Sequence, residues 1–177
     1  FILDLNGNLE LSYDTNQFLT ATPSLGNLDD DDELEIIIGS MSNSGKVYAI
    51  NHDGTSVPGF PVEINEKIWV GSALFDMDQN GYSEIIVATD TGNLYLIDNN
   101  GNIHDIIITD NNIRSAPSIG IFNNGTFPIV FFGNDNGEFI AKKIIINDQT
   151  GDMNFEDHIL INTESVIRSS PSMIEYS

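Results

Sequence analysis

Short apolar runs rich in Ile, Val, Leu, Tyr and Phe recur along the chain, bounded by clusters of Gly, Asn and Asp. Glu35-Ile36-Ile37-Ile38-Gly39, Glu84-Ile85-Ile86-Val87-Ala88 and Pro128-Ile129-Val130-Phe131-Phe132-Gly133 are three of them. Runs of this length and composition predict β-strands. Several are apolar at consecutive positions, as at Ile36, Ile37 and Ile38, which suits a sheet covered on both faces. No stretch combines helical periodicity with helix caps.

The runs also keep step with one another. Thr22-Pro23-Ser24-Leu25 returns as Gly71-Ser72-Ala73-Leu74, Ala116-Pro117-Ser118-Ile119 and Ser170-Pro171-Ser172-Met173. The spacing is about 50 residues, in the range of solenoids and propellers. Each repeat continues through an Ile-rich run to a Gly-led run: Gly45-Lys46-Val47-Tyr48, Gly92-Asn93-Leu94-Tyr95 and Gly137-Glu138-Phe139-Ile140. A looser fourth run follows, around Phe60-Pro61-Val62, at 106–108 and at 158–161. Four strands per repeat predict an all-β fold, a β-propeller of four-stranded antiparallel blades. A β-solenoid is the competing reading, but its coils are shorter and lack the four-strand alternation. The first strand is rich in small residues and is expected innermost, where blades converge. The repeats fall at 18–66, 67–111 and 112–164, with partial repeats at 1–17 and 165–177. Three full blades with partial terminal ones are fewer than a ring needs. The chain is therefore expected to be part of a larger propeller, with the remaining blades supplied by a longer chain.

Composition narrows the partners. Among 177 residues, six Lys+Arg face 27 Asp+Glu, a formal net charge of -21. Phosphate recognition relies on Lys and Arg, so nucleic acid and anionic membranes are not expected partners. There is no cysteine, which excludes disulfides, thiolate zinc sites and cysteine catalysis. No apolar run is long enough to insert into a bilayer. The opening residues carry no signal-peptide pattern, and the first residue is Phe rather than Met, so the start is expected to be processed or truncated.

Much of the acid sits in loops between the first and second strands. The 76–84 loop, Asp76-Met77-Asp78-Gln79-Asn80-Gly81-Tyr82-Ser83-Glu84, puts side-chain oxygens at positions 1, 3, 5 and 9 and a backbone carbonyl, that of Tyr82, at position 7. Gly81 permits the sharp turn. Clustered hard oxygen ligands are what Ca²⁺ takes. An EF-hand would need Glu at position 12, where Val87 stands, and flanking helices. The 27–35 loop repeats the pattern with Asn27, Asp29, Asp31 and Glu35 and the Glu33 carbonyl. The corresponding 121–128 segment lacks carboxylates, and no calcium is expected there. The competing reading is that these are solvated acidic turns held by Asx hydrogen bonds.

The 76–84 loop, the Ile85-Ile86-Val87 run after it and the Gly92-Asn93-Leu94-Tyr95 run resemble FG-GAP/VCBS-type β-propeller repeats. That family includes the calcium-binding blades of integrin α-subunits and many bacterial secreted proteins, and the resemblance covers nearly the whole chain. It implies calcium ligands at Asp76, Asp78, Asn80, Tyr82 and Glu84, and at Asn27, Asp29, Asp31, Glu33 and Glu35. It also implies a calcium-stabilised binding or adhesion module of a secreted, cell-surface or periplasmic protein, with a protein or carbohydrate ligand on a propeller face. The alternatives are a carbohydrate-binding lectin or the propeller scaffold of a polysaccharide-acting, lyase-like enzyme.

Candidate chemistry elsewhere is sparse. His52, His104 and His158 are not at metal-ligand spacing and read as surface histidines. No nucleophile elbow or phosphate-binding glycine loop appears. Asn124-Gly125-Thr126 matches a glycosylation sequon. One position repeats with unusual chemistry. Three residues before each Pro-equivalent stand Thr20, Trp69, Arg114 and Arg168, and the last two are the only arginines. Such a ring would bind an anionic or sugar-like ligand by stacking and bidentate hydrogen bonds. Alternatively, each Arg pairs with an acid on the adjacent blade and Trp69 serves packing.

Overall fold

The computed structural model describes residues 1–121, 127–147 and 149–172. The Asn124 sequon and the core of the 121–128 segment lie outside the described residues. The fold is a β-propeller. Among the described residues there are fourteen strands, and each of three sheets takes four consecutive strands as an antiparallel meander. The first blade holds β3 (Ser24–Gly26), β4 (Glu35–Gly39), β5 (Lys46–Ile50) and β6 (Val62–Glu63). The second holds β7 (Ala73–Phe75), β8 (Glu84–Ala88), β9 (Asn93–Ile97) and β10 (Ile103–Ile108). The third holds β11 (Ser118–Gly120), β12 (Ile129–Gly133), β13 (Glu138–Ile146) and β14 (Met153–Asn162). Ahead of them β1 (Ile2–Leu3) and β2 (Leu9–Leu11) form a two-stranded hairpin. No helix of the described residues is long and apolar enough to cross a membrane.

Consecutive apolar residues on one strand serve two different cores. Side chains alternate across a strand. Ile85 and Val87 of β8, with Tyr95 and Ile97 of β9, pack toward the first blade against Ile37, Val47 and Ile68. Their neighbours Ile86, Ala88, Leu94 and Leu96 pack toward the third blade against Ile113, Val130 and Phe132. All five residues of β8 are buried. Each fully buried Ile or Leu contributes about 1.5–3 kcal/mol, so the middle sheet is held by its neighbours rather than by its own hydrogen bonds. On the far side of the first blade, the segment after the hairpin supplies partial cover. Tyr13 packs edge-on against Tyr48 with ring centroids 6.3 Å apart. The Tyr48 hydroxyl donates to the Thr15 carbonyl at 3.2 Å.

The blades are joined by a linker that repeats more faithfully than its sequence suggests. Asn16, Asn65, Asp110 and Glu164 all take left-handed conformations, with φ of 53–59°. Each precedes the Thr20, Trp69, Arg114 or Arg168 position by four residues. Just after this turn, Ile68, Ile113 and Ile167 donate backbone N–H groups to the carbonyls of Ser40, Thr89 and Asn134 on the preceding blade, at 3.0–3.2 Å. The linker backbone also passes where the Gly-led run would carry side chains. A β-carbon on Gly45 would lie 1.9 Å from the Glu66 carbonyl oxygen, and one on Gly137 2.6 Å from that of Ser165. That close approach explains why the third strand of each repeat is preceded by glycine. The isoleucine of the linker then packs onto the end of the second strand.

At the other edge of each sheet the first strands β3, β7 and β11 lie side by side, as expected of innermost strands. The repeated serine has a role here. Ser24 Oγ donates to the Ser72 carbonyl at 2.7 Å, and Ser118 Oγ donates to the Pro171 carbonyl at 2.5 Å. Each hydroxyl reaches the Pro-equivalent residue of the next blade. Ala73 occupies the equivalent position in the second blade and cannot make this bond.

Two outcomes follow for stability, both measured by urea denaturation. Ala73→Ser restores the missing inter-blade donor and raises unfolding free energy by about 0.5–1.5 kcal/mol, the net value of one such hydrogen bond. Gly39→Ala lowers it by about 1–3 kcal/mol through overpacking, because the new β-carbon would lie 2.3 Å from Cγ2 of Ile68. Combining Gly39→Ala with Ile68→Ala costs less than the two single losses added together, because the clash is relieved.

Candidate functional site

The two acidic loops connect β3 to β4 and β7 to β8, so each enters the second strand of its blade through its last glutamate. Glu35 is 0% exposed and Glu84 is 1% exposed. Both belong to the strand and face inward, where alternation would otherwise place an apolar residue. Each is anchored by one backbone donor. Leu28 N–H donates to Glu35 Oε2 at 2.5 Å, and Met77 N–H donates to Glu84 Oε2 at 2.7 Å.

Other carboxylates converge on these anchors. Oxygens of Asp29, Asp31 and Glu35 lie within 4.8 Å of one another, as do those of Asp76, Asp78 and Glu84. Like charges at that distance repel by roughly 3 kcal/mol per pair at an effective dielectric of about 20, and by less where water reaches them. Burial first, then Asp78 and Asp76, push the Glu84 carboxyl up to about 7, although the Met77 N–H opposes the shift. Glu35 is raised in the same way, by burial and then by Asp29 and Asp31. In neither loop does a Lys or Arg offset these charges among the described pairs. His52 stands 3.5 Å from Asp31 Oδ2.

The turns are held internally by Asx-type bonds. Asp29 Oδ1 accepts from Asp31 N–H at 3.1 Å, and Asp31 Oδ1 accepts from Glu33 N–H at 2.8 Å. In the second loop Asp78 Oδ1 accepts from Asn80 N–H at 3.1 Å, and Asn80 Oδ1 accepts from Tyr82 N–H at 2.7 Å. These bonds account for the shape of the loops. They do not account for two buried oxygens of the first loop. Glu35 Oε1 and Asn27 Oδ1 are both buried with no hydrogen-bond partner among the described residues. A buried acceptor without a donor costs about 1–3 kcal/mol, more when charged. A divalent cation, which is a pure acceptor-binding partner, fits that demand, and the surrounding oxygens are of the hard type that Ca²⁺ takes. A cavity of about 250 Å³ lies beside the second loop, lined in part by Asp78, Asn80, Glu84 and His104.

His104 is not a solvated surface residue. Its Nδ1 accepts from Met153 N–H at 3.3 Å, and Nε2 stands 3.2 Å from Asp98 Oδ2. It stitches β10 of the second blade to β14 of the third. Asp105 does the same through Phe155 N–H at 2.8 Å. Both satisfy donors on an outer strand that would otherwise be an open edge. Beyond these stitches the strands part. They leave a groove of about 500 Å³ lined by Ile107, Ile108, Ile159 and Leu160, with Lys142 and Asp157 paired in its wall.

The Thr20, Trp69, Arg114 and Arg168 positions lie on the linkers. Arg114 Nε donates to Asp90 Oδ1 at 2.8 Å, and Arg168 holds Asp135 with two bonds, at 2.9 and 3.2 Å. Asp90 and Asp135 are equivalent residues, just past the second strand of the preceding blade. Arg168 holds the Asp135 carboxyl below its ordinary value, and Arg114, 3.8 Å away, adds to this. The Arg114 guanidinium also stands over the Trp69 ring, 5.8 Å from its centroid, and Trp69 remains 42% exposed. The structure thus links the two arginines through carboxylates of the adjacent blade, and joins Trp69 to them by the ring contact with Arg114. Those carboxylates could not be picked out in sequence, because their partners lie one blade further on.

No protein-family model matches the chain, and no curated protein matches it either. Its fold is similar to that of solved structures. BamB from Moraxella catarrhalis, a β-propeller, superposes with a TM-score of 0.60 at 18% identity, over 92% of this chain and 43% of that one. The chain thus spans under half the length of that protein. A protein of unknown function from Bacteroides caccae aligns with a TM-score of 0.44 at 11% identity, over 90% of this chain and 52% of that one. At 18% identity the likeness to BamB is one of fold.

Proposed function

We propose that the chain is a calcium-stabilised β-propeller module that presents a binding surface, in a protein working outside the cytoplasm. The observation that carries the calcium reading is Glu35. It is wholly buried, beside two further carboxylates, and one of its oxygens lacks any partner. Ca²⁺ held by Asn27, Asp29, Asp31, Glu33 and Glu35, and by Asp76, Asp78, Asn80, Tyr82 and Glu84, would neutralise this charge. It would also tie the first strand of each blade to the second. Oxygen sites of modest affinity fill where calcium is millimolar, which favours a secreted, cell-surface or periplasmic setting. The resemblance to FG-GAP/VCBS-type repeats supports the same reading.

Binding or adhesion is favoured over catalysis by how the polar groups are used. Arg114 and Arg168 are engaged by Asp90 and Asp135, and His104 by Asp98 and a backbone donor. The inter-blade groove, by contrast, offers apolar side chains beside two outer strands, a surface suited to a protein partner. Further blades of a longer chain would cover the outer faces of the first and third blades. A polysaccharide-acting enzyme or a lectin remains distinguishable by direct assay, since depolymerisation or glycan binding lost on Trp69→Ala would replace the present reading.

Millimolar Ca²⁺ is expected to raise the melting temperature well above that in chelator, and an unchanged value overturns the calcium reading. Asp78→Ala should lower stability by roughly 1–3 kcal/mol with calcium present, the linkage stabilisation lost when calcium at about ten to a hundred times its Kd no longer binds. In chelator it should be near neutral, because the lost turn bonds are offset by relief of repulsion on Glu84.

A further inference from the structure

The two acidic loops belong to different blades, yet the second takes its shape partly from the first. Three hydrogen bonds from the first loop bracket Tyr82. The Asn27 carbonyl accepts from Ser83 N–H at 2.7 Å. Asn27 Nδ2 donates to the Gly81 carbonyl at 3.0 Å. The Tyr82 hydroxyl donates to the Asp30 carboxylate. Residues on either side of Tyr82, and its own side chain, are therefore held by the neighbouring blade. The same segment is held from within by the second loop's own ligand set. Asp76 accepts from Asn80 N–H and Gly81 N–H, both at 3.0 Å, and Asn80 Oδ1 accepts from Tyr82 N–H.

The dependence also runs the other way. Asn27 is the first position of its loop, where the second loop has Asp76. Its amide nitrogen is turned to Gly81, which leaves its Oδ1 buried and unpartnered, like Glu35 Oε1 in the same loop. One side chain thus faces two tasks. Its oxygen is available to the first loop, and its nitrogen positions the turn of the second.

We propose that the two loops bind calcium as one positively coupled unit, with Asn27 and the Tyr82–Asp30 bond as the coupling elements. This inference rests on the calcium reading above. A cation in the first loop draws on Asn27 Oδ1 and neutralises Asp29, Asp31 and Glu35, which fixes the Asn27 amide. The fixed amide in turn holds Gly81, Tyr82 and Ser83, so the second loop binds without meeting the full ordering cost. By linkage, a cation in the second loop helps the first by the same factor. Two doubly charged ions repel each other, which opposes this effect. Ordering through Asn27 and Tyr82 outweighs that repulsion, so the coupling is positive.

Calorimetric calcium titrations of the wild type, Asp31→Asn, Asp78→Asn and Tyr82→Phe test this. With the first loop disabled by Asp31→Asn, the second loop should bind at least about fivefold more weakly than in the wild type. Asp78→Asn should weaken the first loop by the same factor. Tyr82→Phe keeps every carboxylate and the Tyr82 carbonyl, so both binding events persist while the factor shrinks. If each single-loop variant keeps the wild-type affinity of its remaining site, or gains affinity, the coupling is overturned and the calcium reading stands. If none of the four proteins binds calcium, both readings fall together.

Discussion

Ile85, Ile86 and Val87 stand side by side on one strand, and all three are shut off from water. A sheet with two apolar faces cannot be stable alone, because at least one face must always meet solvent. The rest of the molecule follows from that constraint. Each blade needs a neighbour on either side, so the chain repeats. The repeats must sit face to face at a fixed distance, so the linker between them is geometrically strict. Its left-handed residue, its isoleucine and the glycine it crosses recur in each full blade or differ only slightly. The second blade carries Ala88 where the first and third have Gly39 and Gly133, and Ala88 and the linker isoleucine Ile113 share one buried cluster.

The buried glutamates are the exception to this apolar rule, and they mark where the fold and the charge meet. Glu35 and Glu84 begin the second strands, at positions whose burial is imposed by the neighbouring blade. A carboxylate there raises its own proton affinity and repels the aspartates beside it. A half-buried carboxylate elsewhere finds its donors on the next blade. Glu66 shows this: burial pushes its carboxyl up, but donors from Thr89, Thr91, Tyr95 and Asn93 outweigh that and leave it below its ordinary value. No comparable set of donors surrounds Glu35. The contrast between these two glutamates, similar in chemistry and opposite in surroundings, is the physical basis for reading one as structural and the other as a cation ligand.

The arginines complete the electrostatic picture. In a chain of net charge -21, both arginines are spent on the same inter-blade contact, each pairing with the aspartate that follows the second strand of the previous blade. Trp69 takes the equivalent place one blade earlier and lies under Arg114. The repeated position is therefore a joint between blades first, and its exposed aromatic face is what remains on the surface.

Strand number, strand order and the two-sided character of the middle sheet were legible in the sequence, because each depends on local alternation and on a repeat that compares the chain with itself. The oxygen spacing of the 76–84 and 27–35 loops was legible for the same reason. Other features belong to the tertiary structure alone. The pairing of Arg114 with Asp90, the stitch from His104 to Met153 and the bonds from Asn27 and Asp30 around Tyr82 all join residues of different blades. No local pattern encodes them, since each depends on which faces the blades turn to one another. The sequence by itself determined what a blade is. Only the packing of blade on blade decided which polar atoms were buried, which found partners, and which were left without one.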